Sequence, residues 1–202
     1  MKTRRDILLG ASATLAASIA GQALALGNKF PHDTRSLGTF NVDTVTNAAL
    51  DQTFALQLNA APSSVWDLVG SHTRLNEWFP GIASAYVLEP TSTNRNFTPL
   101  FTRQCEFEGD LLTEDIPYDN GRDAYAYSIN KERSNVLVPV SDHLGIFTVE
   151  PVSGGKSLLV WRQYWRKGLM GQVGVPRLVN RYMKPGLQNL VDRYGGGFVA
   201  VT

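Results

Sequence analysis

Apolar and polar positions along most of this chain alternate in short runs divided by turn residues. The stretch "TFALQLNA" sets Phe54, Leu56 and Leu58 against Gln57 and Asn59, the period of a half-buried strand. We place that strand at about residues 43–58. In "APSSVWDLVGS" the period lengthens. Pro62 near the start and Ser63 or Ser64 in the first turn open a helix, Val65, Trp66, Leu68 and Val69 form its apolar face, and Gly70-Ser71 stops it. "HTRLNEWF" predicts a second helical turn or two, ended by Pro80-Gly81.

Period two then returns six times, in "ASAYVLEP", "LFTRQCEFEGD", "LLTEDIPYD", "RDAYAYSINKE", "SDHLGIFTVEPV" and "SLLVWRQYWRK". Gly109-Asp110, Asp119-Asn120-Gly121 and Ser153-Gly154-Gly155-Lys156 separate several of them. These are hairpin turns, because Asn and Gly tolerate positive φ. From about Gly171 to Tyr194 the spacing is helical again, with Leu178, Tyr182, Leu187, Leu190, Val191 and Tyr194 at threes and fours. Pro185 should kink or divide this helix. There is no internal repeat and no low-complexity tract. A long helix must bury its stripe against another layer. The order therefore predicts an α+β fold: a curved antiparallel sheet of about seven strands gripping a long C-terminal helix, with two short helices after the first strand.

Charged residues on a strand face water, which assigns the opposite face to the interior. By that rule Arg103, Cys105 and Phe107 point inward on one strand, and Leu112, Glu114 and Ile116 on the next. Tyr125, Tyr127 and Ile129 follow, then His143, Phe147 and Val149, then Trp161, Gln163 and Trp165. With Tyr182 from the helix, these make an apolar and aromatic wall with a few polar anchors, the composition of a small-molecule pocket. Two plainer readings stand beside this one. Arg103 and Glu114 can pair with each other as a buried ion pair, and His143 can be a satisfied core residue. If the protein is an enzyme, His143 and Glu114 are its acid/base pair, since a histidine titrates near neutrality.

Other chemistries find little support. Ser141, Asp142 and His143 adjoin on a strand, so alternation parts their side chains and a triad is not expected. His32, His72 and His143 lack cysteine or carboxylate partners at ligand spacing, so no metal and no cofactor is expected. "GGKS" at Gly154–Ser157 lacks the earlier glycine and following helix of a phosphate loop and reads as a hairpin.

Three stretches carry a resemblance: "APSSVWDLVGSHTRLNEWFPGI", "LLTEDIPYDNGRDAYAYSI" and "PVSDHLGIFTVEPVSGGKSLLVW". Together they resemble the START-like helix-grip superfamily, also called SRPBCC, and within it the polyketide cyclase/dehydrase group, over roughly Asp51 to Tyr194. The resemblance implies the fold above and a cavity between sheet and helix. Its members bind lipids, sterols, hormones, quinones or aromatic polyketides, and many only carry or sense a ligand, so the fold does not name one activity. In related ligand-binding members the positions matching Glu114 and His143 face the cavity. Some exported members look like accessory factors for periplasmic dehydrogenases.

The ends and the composition add an address. Arg4 and Arg5 precede an apolar run from Ile7 to Ala20, and "ALA" at Ala23–Ala25 suits a signal peptidase. Residues 1–25 thus read as a signal peptide, and the paired arginines resemble a twin-arginine export signal, an ordinary Sec signal being the alternative. Export to the periplasm follows on either reading. Residues 26–42 are polar, broken by Gly27, Pro31 and Gly38, and read as an exposed leader before one domain at 43–202. Without Lys2, Arg4, Arg5 and Asp6 the net charge passes from +1 to −1. That offers neither a nucleic-acid footprint nor a polybasic membrane patch, and no stable span remains after cleavage. Cys105 is the only cysteine, so the fold has no internal disulfide. The expected function is an exported protein that binds a hydrophobic or aromatic small molecule. The alternatives are a cyclase, dehydratase or lyase on an aromatic or polyketide-like compound, and a periplasmic protein partner of a dehydrogenase.

Overall fold

The strong period-two runs become the strands of one large sheet. In a computed structural model of the chain, residues 34–90 and 97–202 are described. The predicted signal peptide and the first part of the leader lie outside the described residues. Two short strands, β1 (Ser36–Leu37) and β2 (Phe40–Asn41), form a hairpin of their own. The large sheet comprises β3 (Leu50–Leu58), β4 (Ile82–Leu88), β5 (Phe101–Phe107), β6 (Asp110–Asp119), β7 (Ala124–Ile129), β8 (Ser141–Val152), β9 (Lys156–Arg166) and β10 (Gly196–Val201). Its order is β10-β3-β9-β8-β7-β6-β5-β4, and every pairing is antiparallel. Neighbours in sequence are neighbours in space from β4 to β9, the result of a series of hairpins. The β8–β9 turn uses Gly154 and Gly155, both at positive φ, as the sequence required.

Three elements differ from the sequence reading. The first strand begins at Leu50 rather than near Asp43, because Val42–Thr44 form a 3-10 turn capped by the Asn41 side chain. The leader is not wholly exposed. Val42 is fully buried, Phe40 stacks on Tyr118 at 5.3 Å, and the Tyr164 hydroxyl donates to the Thr34 carbonyl at 3.0 Å. Residues 34–48 thereby cover Ala126, Leu144, Ile146 and Tyr164 on the outer face of the sheet. The third is β10, an eighth strand that the short run "GGFVAV" forms on the free edge of β3. Its two opening glycines and four apolar residues are too short a run to separate from a helix tail by periodicity.

Helix α1 (Pro62–Val69) starts at Pro62 and buries Val65, Trp66, Leu68 and Val69 as read from sequence. The second short helix is a single 3-10 turn, Leu75–Glu77. The long C-terminal helix runs as α2 (Leu169–Leu178), a π turn (Val179–Met183) and α3 (Lys184–Tyr194). Its buried positions include Gly171, Val175, Val179, Met183 and Leu187, a spacing of four. Steps of four outrun a 3.6-residue turn by about 40° each, and the wider π turn absorbs part of that drift. The division falls just before Pro185, which has no amide to give the ladder. Among the described residues no helix is long and apolar enough to cross a membrane.

Candidate functional site

The inner face of the sheet and the C-terminal helix do not close fully on each other. They leave a cavity of about 90 Å³. That is room for several waters or one compact ring. The sheet supplies Arg103, Phe107, Leu112, Glu114, Tyr125, Tyr127, Ile129, His143, Phe147, Trp161, Gln163 and Trp165. Leu75, Trp78 and Phe79 close it from the segment after α1, Ile82 from the start of β4, Val136, Val138 and Val140 from the loop before β8, and Leu178 and Met183 from the helix. The rings interlock: Phe147 stacks on Trp161 at 4.7 Å and on Tyr125 at 5.2 Å, and Trp78 meets Phe147 edge-on at 6.0 Å. Such contacts hold an aromatic wall in one arrangement. Within the lining loop Leu137 is exposed, as are Leu169, Met170 and Val173 of α2, whose Gly171 and Gly174 pack on Pro139.

Two polar groups are set into this wall. The first is neutral. The Ile129 amide donates to Nδ1 of His143 at 3.3 Å, which leaves the ring proton on Nε2, 2.9 Å from Oε1 of Gln163. Nε2 of Gln163 and the indole N–H of Trp161 both donate to the Tyr127 hydroxyl, at 2.8 and 3.1 Å. Gly145 makes the arrangement possible. It lies opposite both Tyr127 and Gln163 across neighbouring strands, and a Cβ there would sit 2.2 Å from the tyrosine ring. Burial raises the Tyr127 pKa well above its ordinary value, with the nearby Glu114 charge acting the same way.

The second group is charged. Arg103 Nε donates to Glu114 Oε2 at 2.8 Å, and the two residues are cross-strand partners on β5 and β6. Arg103 Nη1 donates to Nδ1 of His72 at 3.2 Å, so His72 carries its proton on Nε2, 2.9 Å from Asp119 Oδ2. The guanidinium also lies over the Tyr125 and Tyr127 rings, at 5.6 and 5.5 Å. Burial works against the charge on Arg103, but the Glu114 carboxylate, with smaller contributions from Tyr125 and Cys105, holds the guanidinium pKa above its usual value. Burial lowers the pKa of His72, the Asp119 hydrogen bond opposing it and the Arg103 charge adding to it. Burial would raise Asp119, yet hydrogen bonds from His72 and the Gly121 amide hold its carboxyl below the usual range. Among the described residues no cluster of His, Cys, Asp or Glu is suited to a metal ion.

The family model "Polyketide cyclase / dehydrase and lipid transport" matches residues 51–195, most of the chain and the whole cavity wall. The chain belongs to this family. No curated protein matches it significantly. Among solved structures it is similar to the protein XoxI from Bacillus cereus, with a TM-score of 0.57 and 21% identity over 72% of this chain and 96% of that one. The aromatase/cyclase Zhui from Streptomyces sp. R1128 superposes with a TM-score of 0.52 at 13% identity, over 71% of this chain and 93% of that one. A START superfamily protein from Mycobacterium smegmatis gives 0.50 at 11% identity, over 70% of this chain and 96% of that one. At these identities the likeness shows the fold, a START-like helix grip.

Within this polyketide cyclase/dehydrase fold, ten of the twelve predicted pocket residues line the cavity: Arg103, Phe107, Glu114, Tyr125, Tyr127, His143, Phe147, Trp161, Gln163 and Trp165. Two do not. Cys105 is on the inner face and fully buried, but Leu75, Ile82 and Ala85 cover it. Burial pushes its thiol pKa up to about 12, Glu114 adding to the rise, which makes it an inert packing group. Tyr182 sits inside the π turn, which rotates it off the buried stripe. It packs on Phe107 at 4.8 Å beside Gly81, and Met183 takes the inward place. The sequence reading missed His72, which sits in the irregular link after α1, where no periodicity assigns a face. It also missed Val136, Val138 and Val140, although their spacing of two was a usable signal.

Proposed function

We propose that this protein is an exported carrier or binder of a hydrophobic or aromatic small molecule, held between the sheet and the C-terminal helix. Family membership and the aromatic cavity support the ligand. The Arg4-Arg5 signal and Ala23–Ala25 support twin-arginine export to the periplasm. The observation that favours holding over transforming the ligand is the engagement of His143. One ring nitrogen takes the Ile129 amide and the other gives its proton to Gln163, and Glu114 is likewise tied to Arg103. An acid/base pair needs a nitrogen or oxygen within reach of the substrate proton. Here both nitrogens of His143 are spent on neighbouring protein groups, and one oxygen of Glu114 is held by Arg103.

Native mass spectrometry of the mature protein, recovered from the periplasm of its own cells, tests this reading. A co-purifying small molecule near one per chain is the expected result, and His143→Ala should retain it. A ligand-free mass, or a bound compound that the wild type converts and His143→Ala does not, would overturn the carrier reading.

A further inference from the structure

Most polar atoms in the cavity wall are satisfied by other protein atoms, and the exceptions define what a ligand must bring. Among the described residues the buried Trp78 indole N–H meets no acceptor, and the buried Tyr125 hydroxyl has the Arg103 guanidinium, a donor, beside it but no acceptor for its own proton. Both side chains line the cavity, and both rings rest against Phe147. An indole nitrogen can only donate, so its complement is an acceptor. Buried polar groups in native proteins are almost always partnered, and an orphan beside a cavity marks a place for a partner. Burial pushes the Tyr125 pKa up to about 12, so its hydroxyl keeps a proton to give.

Charge and size narrow the class. The wall's two full charges, Arg103 and Glu114, already face each other at 2.8 Å. An ionised ligand would enter without a counter-charge among apolar groups, which is unfavourable. A volume of about 90 Å³ suits one ring rather than a fused polycycle. We infer that the cavity takes a neutral, compact ring compound bearing a carbonyl-type oxygen, with the Trp78 N–H and the Tyr125 O–H as its donors.

This inference rests on the small-molecule reading above, and the test separates the two. Calorimetric titration of the wild-type protein with ethylbenzene, acetophenone and benzoate presents one ring as hydrocarbon, ketone and anion. Acetophenone should bind about ten-fold tighter than ethylbenzene, the worth of one net hydrogen bond, and benzoate should bind weakest. Trp78→Phe and Tyr125→Phe should each bring the ketone-to-hydrocarbon preference toward one. Equal affinity for ketone and hydrocarbon, or tightest binding of benzoate, overturns the inference while leaving a ligand cavity in place. No binding of any of the three overturns the cavity reading together with it.

Discussion

The two polar groups in the cavity wall solve the same problem by different physics. The Arg103, Glu114, His72 and Asp119 group is held by charge, and the His143, Gln163, Tyr127 and Trp161 group by neutral hydrogen bonds. In the charged group Glu114 supplies the counter-charge of the buried Arg103, so removing it leaves an uncompensated ion in a dry place. In the neutral group the loss of a partner leaves only an unpaired dipole. The charged group also responds to solvent pH through His72, and the neutral one needs Gly145 to make room for the Tyr127 ring.

The sharpest way to expose this difference is Glu114→Gln. It keeps the volume but strips Arg103 of its counter-charge at full burial. Breaking a buried pair from one side costs about 3–5 kcal/mol, so chemical denaturation should show a loss of that size. The double change Arg103→Met with Glu114→Gln should recover much of it, because two neutral groups carry no uncompensated charge. If the single change is nearly silent, the pair is not desolvated and the contrast between the groups fails. On the neutral side the largest effect is expected from Gly145→Ala, whose Cβ would meet the Tyr127 ring at 2.2 Å. Overpacking of that kind costs toward the upper end of about 1–3 kcal/mol, and near-ultraviolet circular dichroism should report the displaced tyrosine.

How far each group was legible in the sequence follows from the same contrast. Strand alternation has a period of two and forgives nothing, so it placed Arg103, Glu114, Tyr127, His143 and Gln163 on one face without error. It also made the Arg103–Glu114 pair foreseeable, since inward residues on adjacent strands become cross-strand neighbours. Alternation assigns faces but not depth, and Cys105 shares the right face under a cover that belongs to another element. His72 escaped because irregular backbone has no period. Tyr182 was misplaced because one π turn shifts the register of everything read through it. The outer cover at residues 34–48 was hidden in a polar stretch whose few apolar residues, Val42 and Phe40 among them, are the ones that pack.

A smaller effect tests the neutral group by itself. Gln163→Leu keeps the apolar volume but removes the acceptor of the His143 proton and one donor to the Tyr127 hydroxyl. Trp161 still donates to that hydroxyl, so the loss concentrates on His143. We expect a cost of about 1–2 kcal/mol by thermal or chemical denaturation. A loss as large as that of Glu114→Gln would mean that the neutral chain carries more than dipoles.

The smallest effect is the pH dependence that His72 gives the charged group. His72 has its folded pKa below 6.5, so from 6.5 downward the unfolded chain takes up a proton that the folded chain refuses. Stability therefore falls as pH drops through that window, since it declines on acidification wherever the unfolded state binds more protons. Asp119, held below 3.8, adds a second decline of the same sign at lower pH. His72→Gln offers Arg103 an acceptor and Asp119 a donor but cannot titrate. Thermal melts between pH 7 and pH 5 should show a steeper fall for the wild type than for His72→Gln. Gln163→Leu should follow the wild-type slope at a lower absolute stability, because the group it disturbs lies outside the His72 network. Parallel curves for wild type and His72→Gln would mean that His72 takes up no proton on unfolding in this window, and would remove the titrating member from the charged group.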